Sequence, residues 1–125
     1  MGYGFRIKRV YEPPLDGDGL RVLVDRLWPR GLSKAAARVD LWIREIAPSD
    51  ELRTWFDHQP GRWDEFRRRY RDELRDNPVL GRLQAFCRGR PVTLLFAAQD
   101  PDRNNAVVLA DLLTAAPAAP PRPGE

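Results

Sequence analysis

Cysteine and histidine are nearly missing from this chain of 125 residues, where Cys87 and His58 each stand alone. One cysteine cannot close an intrachain disulfide, so nothing ties the chain to an oxidising compartment. A Cys/His zinc site needs several such ligands, which one Cys and one His do not supply, and no metal site is expected. Lysine is almost as scarce. Only Lys8 and Lys34 occur, so nineteen of the 21 basic residues are Arg. No apolar run is long enough for a signal peptide or a bilayer span, which makes the cytoplasm the expected compartment and a membrane an unexpected partner.

What the chain does contain is enough for a folded core: 42% hydrophobic residues and four tryptophans. Its 21 basic residues are interspersed with 18 acidic ones, for a formal charge of +3. Intermixed charge of this kind does not favour general nucleic-acid binding. Residues 1–114 read as one domain. From Ala115 onward an Ala/Pro-rich stretch has nothing to bury and reads as a flexible tail, residues 115–125.

Phe5 to Val10 alternates apolar and charged residues and reads as a strand. Pro13, Pro14 and Asp16-Gly17-Asp18-Gly19 then force a loop, and the Asp-Gly pairs mark a turn rather than a calcium site. Leu20 to Leu27 is the second strand, with consecutive apolar residues that predict cover on both faces. Ser33 is placed to cap a short helix, and Ser49 a longer one carrying Leu52, Trp55 and Phe56 inward. Leu41 to Ile46 fits either a strand or a helical turn. A helix opening at Pro60 puts Trp63, Phe66, Tyr70 and Leu74 on one face. Val79 to Cys87 forms another, with Leu80, Leu83, Phe86 and Cys87 turned inward, so Cys87 reads as a buried apolar residue. Val92 to Ala98 is the clearest strand and, being apolar throughout, is central. Asp100 with Pro101 behind it predicts the cap of the last helix. Strands alternating with helices give an α/β fold: a single small domain, with a mostly parallel or mixed sheet of about three to four strands and helices packed on it.

The block Asp25-Arg26-Leu27-Trp28-Pro29-Arg30-Gly31 follows the second strand directly. Ligands of α/β sheets collect beyond the carboxyl ends of strands. If the strands at Leu20 and Val92 run parallel, Arg26, Trp28 and Arg30 meet Gln99, Asp100, Arg103, Asn104 and Asn105 at one edge. Two guanidiniums beside a helix start make a cradle for a phosphate or carboxylate. Arg26 and Arg30 are therefore candidate anion ligands, Trp28 a wall, and Asn104 and Asp100 orienting groups. His58, the one side chain whose type titrates near neutrality, is the candidate proton shuttle, with Asp100 the other candidate catalytic residue. Each has a plainer structural reading: Asp100 as a cap, His58 as a residue at a helix end, and Arg26 paired with Asp25. No Ser/His/Asp order, phosphate-binding glycine loop or cofactor motif is present.

Two other function classes compete. Arg67-Arg68-Arg69 and Arg71 lie on the outer face of one helix and could serve a nucleic-acid-binding or regulatory module. Yet six Arg and five acids share residues 62–76, the pattern of a solvated, salt-bridged face. Exposed aromatics such as Trp42 or Trp63 could instead anchor a homodimer. The sequence itself sets no oligomeric state.

Lys8-Arg9-Val10-Tyr11, the run from Arg21 to Gly31, Ala47-Pro48-Ser49, Glu51-Leu52-Arg53 and Thr93-Leu94-Leu95-Phe96 with Asn104 resemble the YeaO-like branch of the domain-of-unknown-function family 488. The likeness spans about residues 5 to 113. It implies a small bacterial or archaeal α/β protein and brings no established activity, substrate or cofactor. It draws attention to Arg26, Trp28, Arg30, Asp57-His58, Asp100 and Asn104. One departure is Gln99, where such relatives often carry Lys.

Overall fold

A computed structural model describes residues 5–115 of the chain; of the expected tail, residues 115–125, only Ala115 is described, and it ends the last helix instead of opening the tail. Four strands form one sheet in the order β1-β4-β2-β3, and every pairing is parallel. They are β1 (Phe5–Arg9), β2 (Leu20–Leu23), β3 (Leu41–Trp42) and β4 (Val92–Phe96). The helices are α1 (Lys34–Ala37), α2 (Asp50–Phe56), α3 (Trp63–Arg75), α4 (Pro78–Phe86) and α5 (Asn105–Ala115). Short 3₁₀ turns lie at Asp16–Asp18, Arg44–Ile46 and Pro60–Arg62.

β4 is central, as its unbroken apolar run predicts, and all five of its residues are buried. Register determines what each face carries. Phe5, Ile7, Leu20, Val22, Val92, Leu94 and Phe96 point to one side and join the large core made with α2, α3, α4 and α5. Each Leu, Val or Phe fully buried there contributes about 1.5–3 kcal/mol. Phe56, Trp63, Phe66 and Tyr70 form an aromatic stack between α2 and α3, with Phe56 and Phe66 centroids 4.4 Å apart. The buried Tyr70 hydroxyl donates to the Ile46 carbonyl at 2.5 Å, and burial lifts that hydroxyl well above the ordinary Tyr range.

The opposite face is covered thinly, by the loop after β1 and by α1. Leu23 and Leu95 pack there with Val10, Ala37 and the edges of Trp28 and Trp42. The rest of that face is polar. Arg21 lies 4% exposed and donates to the carbonyls of Ala37 and Arg38 and to Asp18 at 2.6 Å. Lys8 donates to the same carboxylate and to the Pro13 carbonyl, and Thr93 to the Asp18 carbonyl. Burial alone would raise the Asp18 carboxyl, but the Leu15 amide, Lys8 and Arg21 together bring it below the ordinary value. Gly19, with φ of 66°, brings the chain so close to Pro91 that a Cβ would fall 2.4 Å from its carbonyl oxygen. Only glycine fits that approach.

Local signals hold at several helix starts. Ser33 accepts from the Ala36 amide, Ser49 from the Leu52 amide and Asn77 from the Val79 amide. Cys87 is buried at the end of α4, and burial pushes its thiol up. Three expectations are corrected. The second strand stops at Leu23, because Val24 makes the last ladder bond, to the Leu95 carbonyl at 3.1 Å, before the chain turns away. Phe86 is 48% exposed and lies under the Arg90 guanidinium, since Leu83 and Cys87 already fill the inner face of α4. The last helix begins at Asn105, not behind Asp100.

Candidate functional site

Asp25 is the first residue beyond β2 that leaves the ladder. One of its carboxylate oxygens accepts from the Ala97 amide at 2.9 Å, the other from Asn105 Nδ2 at 3.1 Å. Asn105 Nδ2 also donates to the Val24 carbonyl at 2.9 Å. The carboxylate thus fastens the exits of β2 and β4 to the first residue of α5. Burial raises the Asp25 carboxyl above its ordinary 3.8, against the pull of those hydrogen bonds and of the positive charge on Arg53 and His58.

Over this knot lies a cleft of about 600 Å³. Every strand exit contributes: Tyr11 after β1, Asp25 to Arg30 after β2, Ala47 and Pro48 after β3, and Ala97, Ala98 and Arg103 to Asn105 after β4. The end of α2 adds Arg53, Thr54, Phe56, Asp57 and His58. From β2 the chain passes to β3 on one side, then crosses to β4 on the other. The cleft therefore sits at the switch point of the sheet, where α/β folds hold ligands.

Four guanidiniums line it, and they are differently committed. Arg103 pairs with Asp100 at 3.1 Å, and Arg53 with Asp50 at 3.2 Å. Arg26 donates through Nη2 to the Pro48 carbonyl at 3.2 Å. Its buried Nε has no hydrogen-bond partner among the described residues, although the exposed Asp50 carboxylate lies 3.4 Å away. That separation is an ion pair without hydrogen-bond geometry. The Arg30 side chain makes neither an ion pair nor a hydrogen bond among the described residues; only its carbonyl is engaged, by the Tyr11 hydroxyl at 2.8 Å. Trp28 is held in place by donating to the Leu32 carbonyl at 2.6 Å and by an edge contact with Trp42.

Asp57 and His58 both have left-handed backbone, with φ of 47° and 54°. Asp57 closes α2 by donating its amide to the Arg53 carbonyl. Left-handed backbone costs an L residue about 1–2 kcal/mol, so two in succession store strain where the chain turns past the cleft. Asn104 is buried and caps α5. Its Oδ1 accepts from the Val107 amide and its Nδ2 donates to the Asp100 carbonyl. Asp100 instead closes the preceding bend, accepting from the amides of Asp102 and Arg103. Those bonds, the Asp102 amide first, hold its carboxyl below the ordinary range.

Five of the six residues singled out from sequence line this one cleft: Arg26, Trp28, Arg30, His58 and Asn104. Asp100 does not line it, because its carboxylate is turned into its own bend. Asp25 and Arg53 are the lining charges that the sequence left without a role. Asp25 carried a signal, a carboxylate directly after a buried apolar run. Arg53 carried none, since only packing brings the end of α2 over the strand exits.

On the rival α3 surface, Arg67 pairs with Asp64, Arg69 with Glu65 and Arg75 with Asp72, while Arg69 also lies over the Trp55 ring. Arg67 Nε, like Arg26 Nε, is buried without a hydrogen-bond partner among the described residues, but no α3 arginine lines the cleft. The aromatics expected as exposed anchors are half-buried. Trp42 donates to the Asp25 carbonyl, and Trp63 belongs to the Phe56–Phe66 stack. Among the described residues no cluster of His, Cys, Asp and Glu could hold a metal, and no helix is long and apolar enough to cross a membrane.

The chain matches over residues 4–121 the family described as the inactive DUF488-N3 subclade. It is 47% identical to the uncharacterized protein Rv3073c of Mycobacterium tuberculosis over 108 residues, covering 86% of this chain and 92% of that protein. It is 45% identical to the uncharacterized protein YeaO of Escherichia coli over 107 residues, covering 85% of this chain and 93% of YeaO. No solved structure matches it. The chain belongs to the DUF488 family, in the subclade described as inactive.

Proposed function

We propose that this member of the inactive DUF488-N3 subclade is a binding protein for a small anionic ligand, phosphate- or carboxylate-bearing and nucleotide-sized at most. The observation that carries this reading is the pair Arg26 and Arg30 at the carboxyl-end cleft. One has a buried Nε without a hydrogen-bond partner, and the other has no ion pair, among the described residues. A buried guanidinium N–H without an acceptor is costly, and an oxyanion is the acceptor that a guanidinium fork fits best. Tyr11, Leu27 and Trp28 on the same cleft would give the ligand an apolar wall.

Recognition without turnover is favoured over catalysis. The family description calls the subclade inactive. A catalytic reading would use His58 and the raised carboxyl of Asp25 as an acid–base pair. It predicts consumption of a bound compound, abolished in His58→Ala.

A thermal-shift screen of phosphates, nucleotides, sugar phosphates and carboxylates tests the proposal, with wild type run beside Arg26→Ala and Arg30→Ala. A ligand of the native state raises the melting temperature by mass action. A shift present in wild type and absent in folded arginine variants supports the cleft. The absence of any shift, or one that persists in both variants, overturns it.

A further inference from the structure

The floor of the cleft is not only cationic. Asp25 lies among Arg26, Arg53 and His58, and its oxygens accept two bonds from the protein, one from the Ala97 amide and one from Asn105. An ionised carboxylate offers about four acceptor sites. We infer that the ligand bears neutral hydroxyl donors beside its anionic group, the hydroxyls meeting Asp25 while Arg26 and Arg30 hold the anion, as a phosphorylated sugar would.

This inference rests on the anion-binding reading and sharpens its ligand class. Two features put simpler ligands at a disadvantage. An inorganic anion would fill only the arginine side and would bring its charge towards the Asp25 carboxylate, with no donor for it. A cationic donor would have to enter among Arg26, Arg53 and Arg103, all of which line the same cleft. A neutral hydroxyl suffers neither repulsion. The volume of about 600 Å³ accommodates a pentose phosphate with room for a base, and Tyr11 and Trp28 stand on the lining that a base would meet. Whether a base is present separates a free sugar phosphate from a nucleotide; the hydroxyl and phosphate chemistry is common to both.

Four probes test this by calorimetric titration of the full chain: inorganic phosphate, ribose 5-phosphate, adenosine 5′-monophosphate and tetrahydrofurfuryl phosphate, which keeps ring and phosphate but has no hydroxyls. Ribose 5-phosphate should bind about tenfold or more tighter than either inorganic phosphate or the hydroxyl-free analogue. In Asp25→Asn the advantage of ribose 5-phosphate over the hydroxyl-free analogue, which carries the same charge, should shrink several-fold. Additional affinity for the nucleotide identifies a base subsite; equal affinity identifies the sugar phosphate as the ligand class. Phosphate and the hydroxyl-free analogue binding as tightly as ribose 5-phosphate would overturn the inference and leave the anion site standing. An advantage that survives unchanged in a folded Asp25→Asn variant also overturns it. Failure of all four probes would overturn both readings together. Should Asp25→Asn not fold, the comparison of ribose 5-phosphate with its hydroxyl-free analogue on wild type decides alone.

Discussion

Asp18 with Lys8 and Arg21, and Asp25 with Arg26, Arg30 and Arg53, are two charge clusters on the same sheet, one laid on its thinly covered face and one at its carboxyl end. In the first, a single buried carboxylate receives Lys8, Arg21 and the Leu15 amide, and the remaining Arg21 donors meet the carbonyls of Ala37 and Arg38. In the second, Arg26, Arg30 and Arg53 outnumber the two carboxylates that line the cleft, Asp25 and Asp57, and are satisfied unevenly, down to the orphaned Nε of Arg26. Closed networks rigidify a fold, whereas an incomplete network beside a cleft is an unmet demand for an anion. Charge count alone does not distinguish them; partner completeness does.

The sharpest way to break this contrast is to open the closed cluster. Asp18→Ala leaves Lys8 and Arg21 buried without their carboxylate and should destabilise the protein by about 3–5 kcal/mol, measured by urea denaturation. Affinity for a cleft ligand should persist wherever the variant remains folded. Gly19→Ala attacks the same corner through the backbone. Its Cβ would collide with the Pro91 carbonyl, and a loss of about 2 kcal/mol or more is expected in the same assay. The open cluster should behave in reverse. Arg30→Ala should leave stability within about 0.5 kcal/mol and weaken anion binding about tenfold, as read by titration. His58→Gly relieves left-handed strain and should raise stability by about 1 kcal/mol. A rise in melting temperature there, combined with weaker binding, would show that strain at this turn serves the cleft.

Acidity separates the two carboxylates by sign. Asp18 is held below the ordinary 3.8, so its contribution is present above that pH and is lost as pH falls below it. Asp25 is raised above 3.8, so between that value and its folded pKa the native state keeps a proton that the unfolded chain has shed. Its contribution is complete below 3.8 and declines as pH rises through that window. Thermal melts of wild type against Asp25→Asn should differ in slope just above pH 3.8, and wild type against Asp18→Asn just below it.

How far the sequence reached follows the same division between local and assembled features. β4 and the caps Ser33 and Ser49 were legible because period and capping act within a few residues. The parallel pairing of β2 with β4 that unites Arg26 with Asn104 was only a condition of the shared-edge reading, because alternating strands and helices fit a parallel or a mixed sheet alike. The start of α5 was misplaced because Asp-Pro opens a turn as readily as a helix, and Asp100 spends its side chain on the amides of Asp102 and Arg103. Phe86 followed the helical period yet faces solvent, since periodicity does not say how wide the buried stripe will be. Arg53 was invisible as a cleft residue, and Asp18 as a buried hub, because both roles exist only once distant segments meet.

By this reading the cleft at the carboxyl end of the sheet, not the arginine-rich α3, receives the anion. Titrating inorganic phosphate into the isotopically labelled protein and following backbone amides by NMR tests it most directly. Saturable shifts confined to residues 25–30, 53–58 and 97–105, and lost in Arg26→Ala, are the predicted result. Shifts centred on Arg67 to Arg71, or none that saturate, would contradict the account.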